Sequence, residues 1–261
     1  MIPTLSYTLL LCAGFIFFYM TLGWVIALVE KRNDIADTLW GIGFVLLAWG
    51  TLALRTFPPD FRSLVITTLV TIWGLRLAIH VYKRNHGKPE DFRYKAWREQ
   101  WGKWYKIYSY LKVFLLQGIF MFFIAFSPII ANTYSYGGFG LISFIGLVVW
   151  IVGFVFESVG DRQLAHFIAQ PENKGALMTS GLWKYTRHPN YFGEVTQWWG
   201  LWLIALPVMY GWIALISPLV ITFLILKVSG IPMLEKKYEG NTAFNIYKTK
   251  TSAFFPWFPK K

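Results

Sequence analysis

Charge is scarce in this chain. Only 15% of the 261 residues are Asp, Glu, Lys or Arg, whereas a soluble domain carries about 25%. Hydrophobic residues make up 56% of the chain and aromatic residues 20%, and the mean hydropathy is +0.45. The single cysteine, Cys12, excludes a disulfide framework within the chain. These proportions exclude an ordinary soluble domain and predict an integral membrane protein.

The common nucleotide-binding and metal-binding motifs are missing as well. The sequence has no Walker loop and no GxGxxG after a strand-like run, so neither a P-loop nor a Rossmann domain is expected. Its four histidines show no metal-ligand spacing, and no Ser–His–Asp set is evident. We therefore expect no metal ion, and any cofactor must be held by a different kind of site.

Long apolar runs are plentiful. A helix that spans a bilayer needs about 17–25 residues. Seven runs are close to this length: Leu5–Val29, Ala36–Leu54, Leu64–Tyr82, Tyr110–Ala131, Leu141–Gly160, Val195–Tyr210 and Trp212–Ser229. They predict an all-α, polytopic fold with about seven transmembrane helices in a single membrane domain, residues 1–261. An odd number of spans places the two termini on opposite sides of the membrane.

The basic residues are distributed unevenly between the two sides. All lysines and arginines except Arg55, Arg62 and Arg76 fall in segments that a seven-span topology places on one face. The positive-inside rule then predicts that the N-terminus lies outside and the C-terminus in the cytoplasm. The membrane would be a bacterial inner membrane or one of the endoplasmic reticulum type. The net charge of +12 is thus explained by topology and anionic lipid, and no nucleic-acid partner is expected.

The most informative stretch is 181–200, which runs from a basic loop into an apolar segment. Pro189 suits the first turn of a helix, where its fixed φ fits and its missing N–H costs nothing. A helix that begins there places Asn190, Glu194 and Gln197 on one face. Polar groups inside a membrane are expensive and usually functional. The alternative is an interfacial anchor, since such residues are common at headgroup depth.

Bases and aromatic residues surround the start of this predicted helix. Arg187 and His188 stand just before it, where free N–H groups and the helix dipole favour an anion. Trp183, Tyr185 and Tyr191 could stack on a ring. Arginine and lysine bind phosphates well. The set suits a large cofactor with phosphates or a nucleoside, and a lipid-soluble substrate would reach it from the bilayer.

Other inner segments add candidate residues. Arg76 and His80 lie one turn apart on the third span, and two ionisable groups there predict a face that lines a cavity. Asp37 is either a helix cap or a site residue. A segment of mixed charge, in which most charges are expected to be solvated, contains Asp91, Arg93 and Tyr94. The C-terminal tail is expected to be an amphipathic interfacial helix or a lid over the cofactor.

Four motifs carry a resemblance to a known superfamily. Gly181-Leu-Trp-x-Tyr-x-Arg-His-Pro-Asn-Tyr-x-Gly-Glu194 resembles the C-terminal signature of membrane steroid 5α-reductases and sterol reductases. The tail, Lys236-Lys-Tyr-x-Gly to Phe254-Phe-Pro256, resembles their ending. Asp91-x-Arg-Tyr94 and Asp161-Arg162 are similar to a less characterised, bacterial-type branch. The resemblance is best over residues 161–259.

This resemblance implies NADPH as the cofactor, in a cavity that faces the cytoplasm. Residues 141–261 would form the cofactor-binding half and residues 1–110 the substrate-side helices. The Asp161–Arg162 pair would hold the adenosine end, and Asn190 and Glu194 would contact the nicotinamide half. The residues implied for the cofactor are Asp161, Arg162, Lys184, Arg187, His188, Asn190, Tyr191, Glu194, Tyr247 and Lys248.

The resemblance also implies a reaction, the reduction of a carbon–carbon double bond in a steroid-like or enoyl-lipid-like substrate. Tyr82 would donate the proton to the enolate and His80 would orient it. The tyrosine stands one residue further from the histidine than in the steroid reductases. The remaining substrate-side candidates are Asp37, Arg76, Asp91, Arg93 and Tyr94.

Two other functions remain open. The Arg-His-Pro-x-Tyr-x-Gly core is shared with isoprenylcysteine and phospholipid methyltransferases, which bind S-adenosylmethionine. Those enzymes usually carry two adjacent acids before the tail, whereas Glu235 here follows Leu234. Asn190 and the Asp161–Arg162 pair favour the reductase. A non-catalytic membrane protein or transporter would place polar groups in paired segments at the bilayer midplane, and here they crowd one edge.

Overall fold

The computed structural model describes residues 4–260, and in that range the chain forms helices and no β-strand. The helices are α1 (Leu5–Val29), α2 (Ile35–Ala53), α3 (Phe61–Asn85), α4 (Phe92–Trp101), α5 (Tyr105–Ser109), α6 (Leu116–Ile124), α7 (Phe126–Tyr134), α8 (Leu141–Ala169), α9 (Pro189–Ala205), α10 (Ile216–Phe223), α11 (Ile231–Lys236) and α12 (Thr242–Lys250). Short π-helical stretches, Tyr110–Leu115 and Leu224–Val228, precede α6 and follow α10. The predicted all-α class is confirmed for this part of the chain.

Six helical segments in the described range are long and apolar enough to cross a membrane. They are Leu5–Val29, Ile35–Ala53, Phe61–Asn85, Phe92–Ile124, Leu141–Ala169 and Ile213–Lys236. The chain is therefore a multi-pass membrane protein by length and composition. The predicted sixth span corresponds to α9, whose 17 residues lie at the lower limit of about 17 for a spanning helix. The count of seven and the orientation of the termini stay predictions.

The predicted fourth span, Tyr110–Ala131, is interrupted in the structure. One helix ends at Ile124 and the next begins at Phe126. Pro128 explains the break, because it has no N–H for the carbonyl of Ile124 and its ring crowds that carbonyl. The apolar run was therefore a correct indication of helix but not of one continuous helix.

The chain folds into two compact units. The first comprises the residues up to Gly140 together with Ala205–Ile216. Within it α2 and α3 cross closely, since a Cβ on Gly41 would lie 2.4 Å from the carbonyl oxygen of Gly74. Asn132, fully buried on α7, donates to the carbonyl of Ala48 on α2 at 2.8 Å and to the hydroxyl of Thr67 on α3 at 3.0 Å. A buried amide thus fastens three helices of this unit together.

The second unit comprises Leu141–Ile204 and the residues from Ser217 onward. Its central contact is the crossing of α8 and α9, which is lined by glycines. A Cβ on Gly193 would lie 2.4 Å from the backbone nitrogen of Glu157, and one on Gly200 would lie 2.6 Å from the carbonyl oxygen of Gly146. Small residues let two membrane helices approach to backbone contact. This close approach places the first turn of α9 beside Gly160 of α8.

Candidate functional site

One partly buried carboxylate, that of Glu235, gathers three basic side chains in the second unit. Arg187 donates to Oε1 of Glu235 from Nε at 2.9 Å and from Nη2 at 2.7 Å. The Nε2 atom of His188 lies 3.2 Å from the same oxygen, and Nζ of Lys248 lies 3.1 Å from Oε2. Arg187 is 6% exposed, whereas the Lys248 side chain is 55% exposed. These four residues are called the Glu235 cluster below.

The same arginine fastens the C-terminal tail to the segment before α9. Its Nη1 atom donates to the backbone carbonyls of Lys248 and Thr251, at the end of α12. Carbonyls at a helix C-terminus have no partner within the helix, so a side-chain donor stabilises them. The backbone N–H of Arg187 donates to the carbonyl of Ser252 at 2.9 Å, beside an isolated bridge between Thr186 and Ser252.

Tyr247 makes a further contact between the tail and this segment. Its hydroxyl donates to the backbone carbonyl of Trp183. Burial raises the pKa of the Tyr247 phenol above its ordinary value. The side chain is therefore a neutral hydrogen-bond donor across the physiological pH range. The predicted alternatives for the tail, an interfacial helix or a lid, both remain predictions, but its packing against residues 183–187 is a feature of the fold.

An oriented amide stands at the start of α9. The helix begins at Pro189 as predicted, and Asn190 Nδ2 donates to Oδ1 of Asp161 on α8 at 3.1 Å. The Oδ1 atom of Asn190 is buried and has no hydrogen-bond partner within residues 4–260. A buried polar atom without a partner is costly and rare. This oxygen is therefore positioned to accept a hydrogen bond from a bound molecule.

A second amide–carboxylate pair lies deeper along the same two helices. Gln197, which is 1% exposed, donates from Nε2 to the buried carboxylate of Glu157. The predicted polar face of α9 is thus matched by acids on α8, at Asp161 and Glu157. Glu194 lies between the two amides on α9 and is half-buried. Tyr191 lies next to the Glu235 cluster, because its ring stacks on that of His188 at 5.6 Å between centroids.

An open cavity of about 620 Å³ borders the Glu235 cluster. Ligand sites for small molecules typically have about 300–1,000 Å³. The lining residues are Pro232, Glu235, Lys236, Tyr238, Glu239, Gly240, Phe244, Asn245 and Lys248. The rings of Tyr238 and Phe244 stack at 4.8 Å. Of the residues predicted for the cofactor, only Lys248 lines this cavity.

Two residues that were predicted to hold the phosphates or the adenosine end of the cofactor lie on the surface of this unit. Arg162 and Lys184 are exposed, and within residues 4–260 neither forms a salt bridge. Their charges are thus available to a ligand, unlike that of Arg187. Over the same range no three His, Cys, Asp or Glu side chains are grouped as a metal site would need, and the expected lack of a metal stays a prediction.

The other unit contains a separate polar cluster, formed by Asp37, Asp91, Arg93, Tyr94 and Gln117 and called the Asp37 cluster below. Arg93 donates to Asp37 at 3.0 Å and to Asp91 at 2.9 Å. The Tyr94 hydroxyl donates to Asp37 at 2.5 Å and accepts from Gln117 at 3.3 Å. Tyr94 is only 3% exposed. Asp91 and Arg93 are thus partly buried exceptions to the expectation that most charges of this segment are solvated, whereas Lys83, Lys88 and Lys95 are exposed.

The turn before α2 is fastened to the same segment by Glu90 and Arg98, which the sequence did not single out. The backbone N–H of Asn33 donates to Glu90 at 2.6 Å, and Arg98 donates to Glu90 at 2.9 Å. Arg32 makes two bonds of 2.7 Å to Asp34. Asn33 and Glu90 lie 57 residues apart, so no local pattern indicated their contact. Together they hold Asp37 at a fixed place beside Arg93.

Tyr82, the predicted proton donor, is not brought into the Asp37 cluster. Its side chain is 55% exposed, its ring packs on His86 at 5.0 Å, and its hydroxyl makes no hydrogen bond within residues 4–260. His80 and Arg76 are half-buried on the same helix, α3. Tyr94, which was a substrate-side candidate, does have a buried phenol in this unit.

The stability of the first unit should depend on pH through Asp91. Burial alone would raise the pKa of this carboxyl, but the hydrogen bonds and the charge of Arg93 outweigh burial and hold it below its usual value. The ionised form is therefore favoured by folding. This stabilisation is complete above the ordinary pKa of an aspartate and is lost as pH falls through the lowered pKa of the folded state. Thermal unfolding at a series of pH values should show this loss. Asp91→Asn should reduce the slope of the unfolding temperature against pH. Equal slopes for the variant and the unchanged protein would contradict this role of Asp91.

Comparison with known proteins indicates the family of this chain. The model of a family described as proteins of unknown function, DUF1295, matches residues 23–251, a range that includes both clusters. An uncharacterized protein of Schizosaccharomyces pombe is 25% identical over 274 aligned residues, which cover 89% of this chain and 75% of that protein. No solved structure matches the chain. Because the family model matches most of its length, this chain belongs to the DUF1295 family.

Proposed function

We propose that the chain is a membrane-embedded reductase that uses NADPH to reduce a carbon–carbon double bond in a lipophilic molecule. The observation that carries the proposal is the unpartnered Oδ1 of Asn190. Asp161 receives the amide hydrogens of this side chain, so the assignment of oxygen and nitrogen follows from the partner. The carboxamide of a nicotinamide ring carries the N–H donor that this oxygen lacks.

The surroundings of Asn190 supply the remaining contacts for a dinucleotide. Arg162 and Lys184 have exposed, unpaired charges in the same unit and would hold phosphate oxygens. The neutral phenol of Tyr247 and the aromatic ring of Tyr191 lie beside the Glu235 cluster. When bound, NADPH supplies the hydride. Arg187 would act on the cofactor indirectly, by fixing the tail and the start of α9, because four of its five N–H donors already bond to Glu235 and to the tail carbonyls.

Reduction of the double bond also needs a proton, which a second group must donate. The resemblance to steroid 5α-reductases points to Tyr82, with His80 beside it. The Asp37 cluster offers Tyr94, a buried phenol held between a carboxylate and an amide. A general acid must lie within hydrogen-bond reach of the atom that it protonates. Tyr82 and Tyr94 are thus the candidates for this step. The proposal includes a topology of seven spans, with the reaction at the cytoplasmic face.

Equilibrium binding to the detergent-purified protein tests the proposal. NADPH should bind and S-adenosylmethionine should not. Asn190→Ala should weaken NADPH binding by about fivefold to about 150-fold, because one hydrogen bond to a buried acceptor contributes about 1–3 kcal/mol. Asn173→Ala is the matched control, since the side chain of that asparagine bonds only to nearby residues at the end of α8 and just after it, Phe167 and Gln170.

The outcomes separate the candidate functions. Binding of S-adenosylmethionine without NADPH would favour a membrane methyltransferase, the second function compatible with the Arg187–Gly193 motif. Failure to bind either molecule would favour a non-catalytic membrane protein. Equal loss of NADPH affinity in the two asparagine variants would mean that Asn190 is no ligand.

A further inference from the structure

Three large aromatic side chains are exposed together near the end of the second unit. Phe255 is 69% exposed, Trp257 73% and Phe258 76%. They are called the aromatic tail below. A contiguous exposed apolar surface generally marks contact with a membrane or another molecule. The remaining question is what covers these rings.

The backbone that carries the rings is fixed to the body of the unit. The N–H of Trp257 donates to the carbonyl of Tyr185 at 2.9 Å, and that of Lys260 donates to the carbonyl of Lys250 at 2.9 Å. The ring of Phe258 packs edge-on against Tyr185 at 5.9 Å. The aromatic tail is therefore a shaped surface with a defined position and not a loose chain end.

This surface continues from a membrane-spanning helix through a series of aromatic contacts. Phe156 lies in the candidate span of α8 and packs against Phe192 at 5.1 Å, and Phe192 packs against Phe255 at 6.1 Å. On α8, Val155 and Val159 beside Phe156 are exposed, as side chains that face lipid would be. The aromatic tail thus adjoins the end of a surface that lies against the bilayer.

Basic residues flank the same rings. Lys250 and Lys260 are exposed and joined through their backbones. Tryptophan and other aromatic side chains favour the headgroup region of a bilayer, and lysines beside them are attracted to anionic lipid. The surface therefore combines apolar rings with positive charge, as a membrane interface requires.

We propose that the aromatic tail inserts Phe255, Trp257 and Phe258 into the headgroup region of an anionic leaflet, with Lys250 and Lys260 near the lipid phosphates. The tail then has two contacts, the membrane through its rings and the Glu235 cluster through the carbonyl of Thr251 and the backbone of Ser252. This proposal does not depend on the reductase activity.

Site-specific labelling of the full chain in lipid nanodiscs tests it. Cys12→Ala removes the native thiol, and Pro259→Cys then carries a fluorescent label while all three rings are kept. Lipids with a nitroxide at the headgroup should quench this label. They should not quench a label on Glu172→Cys, a residue exposed in the loop after α8. Quenching should be stronger in equal parts of phosphatidylglycerol and phosphatidylcholine than in phosphatidylcholine alone.

The rings are tested by replacing all three with serine in the Pro259→Cys background. Because they are exposed, this variant should fold, and an unchanged thermal unfolding temperature in detergent would verify that. Quenching by the headgroup nitroxide should fall to the level of the Glu172 control. Undiminished quenching would overturn the proposal. Protection of the label from water-soluble iodide only when two copies share a nanodisc would also overturn it, because a second copy would then cover the rings.

Discussion

Arg187→Ala is expected to destabilise the protein by roughly 3–5 kcal/mol, the cost of removing one partner from a buried ion pair. The substitution removes both bonds to Glu235 and leaves the carbonyls of Lys248 and Thr251 without their side-chain donor. Those carbonyls end α12, so the tail should separate from the segment before α9. Thermal or denaturant unfolding in detergent would measure the loss.

Lys248→Ala is the matched control for this result. Its ammonium contacts the same carboxylate at 3.1 Å, but the side chain is 55% exposed. Exposed ion pairs contribute about 0–1 kcal/mol because water and salt screen them. A large difference between the two variants is therefore expected. Equal small effects would mean that the Glu235 cluster does not hold the tail in place.

Gly193→Ala should destabilise the crossing of α8 and α9. The new Cβ would lie 2.4 Å from the backbone nitrogen of Glu157 and 2.5 Å from the carbonyl oxygen of Gly153. Backbone atoms of two packed helices cannot move aside as a flexible side chain can, so the helices must separate. Overpacking of this kind costs about 1–3 kcal/mol and occasionally more.

Gly14→Ala supplies the control, with the opposite sign. Gly14 also lies within a helix, α1, but nothing is within 4 Å of its ideal Cβ. Alanine is favoured over glycine in a helix by about 1 kcal/mol, so this variant should be neutral or slightly stabilising. If both variants changed the unfolding temperature in the same direction, the close crossing would not limit stability.

Several features of the fold followed from local sequence. The limits of α1 match the first apolar run, Leu5–Val29. Pro189 begins α9, because a proline fits best where no helical N–H bond is needed. That start aligned Asn190 and Gln197 on one face, and both meet acids of α8.

Other features depended on partners far away in the chain. The sequence marks Glu235 only as an acid without a second acid beside it. In the structure it binds Arg187 and His188, 47–48 residues earlier. Gln117 and Glu90 were missed for the same reason, because their partners Tyr94 and Asn33 also lie far away in the chain. Spacing gives no indication of which distant side chain will be opposite in the folded protein.

One missed feature did have a sequence signal. Gly146, Gly153 and Gly160 recur every seven residues on α8, and Gly193 and Gly200 do so on α9. Seven residues are close to two helical turns, so each set forms a stripe along one side of its helix. Stripes of small residues on two membrane helices predict a close crossing, which the structure contains.

The separation of Arg187 from Glu235 along the chain also has a consequence for biosynthesis. Synthesis proceeds from the N-terminus, so Arg187 leaves the ribosome 48 residues before Glu235. Until Glu235 has been synthesised, the guanidinium has no acidic partner from α11. The later arrival of Glu235 supplies the counter-charge, and only then can this arginine join the segment before α9 to the tail.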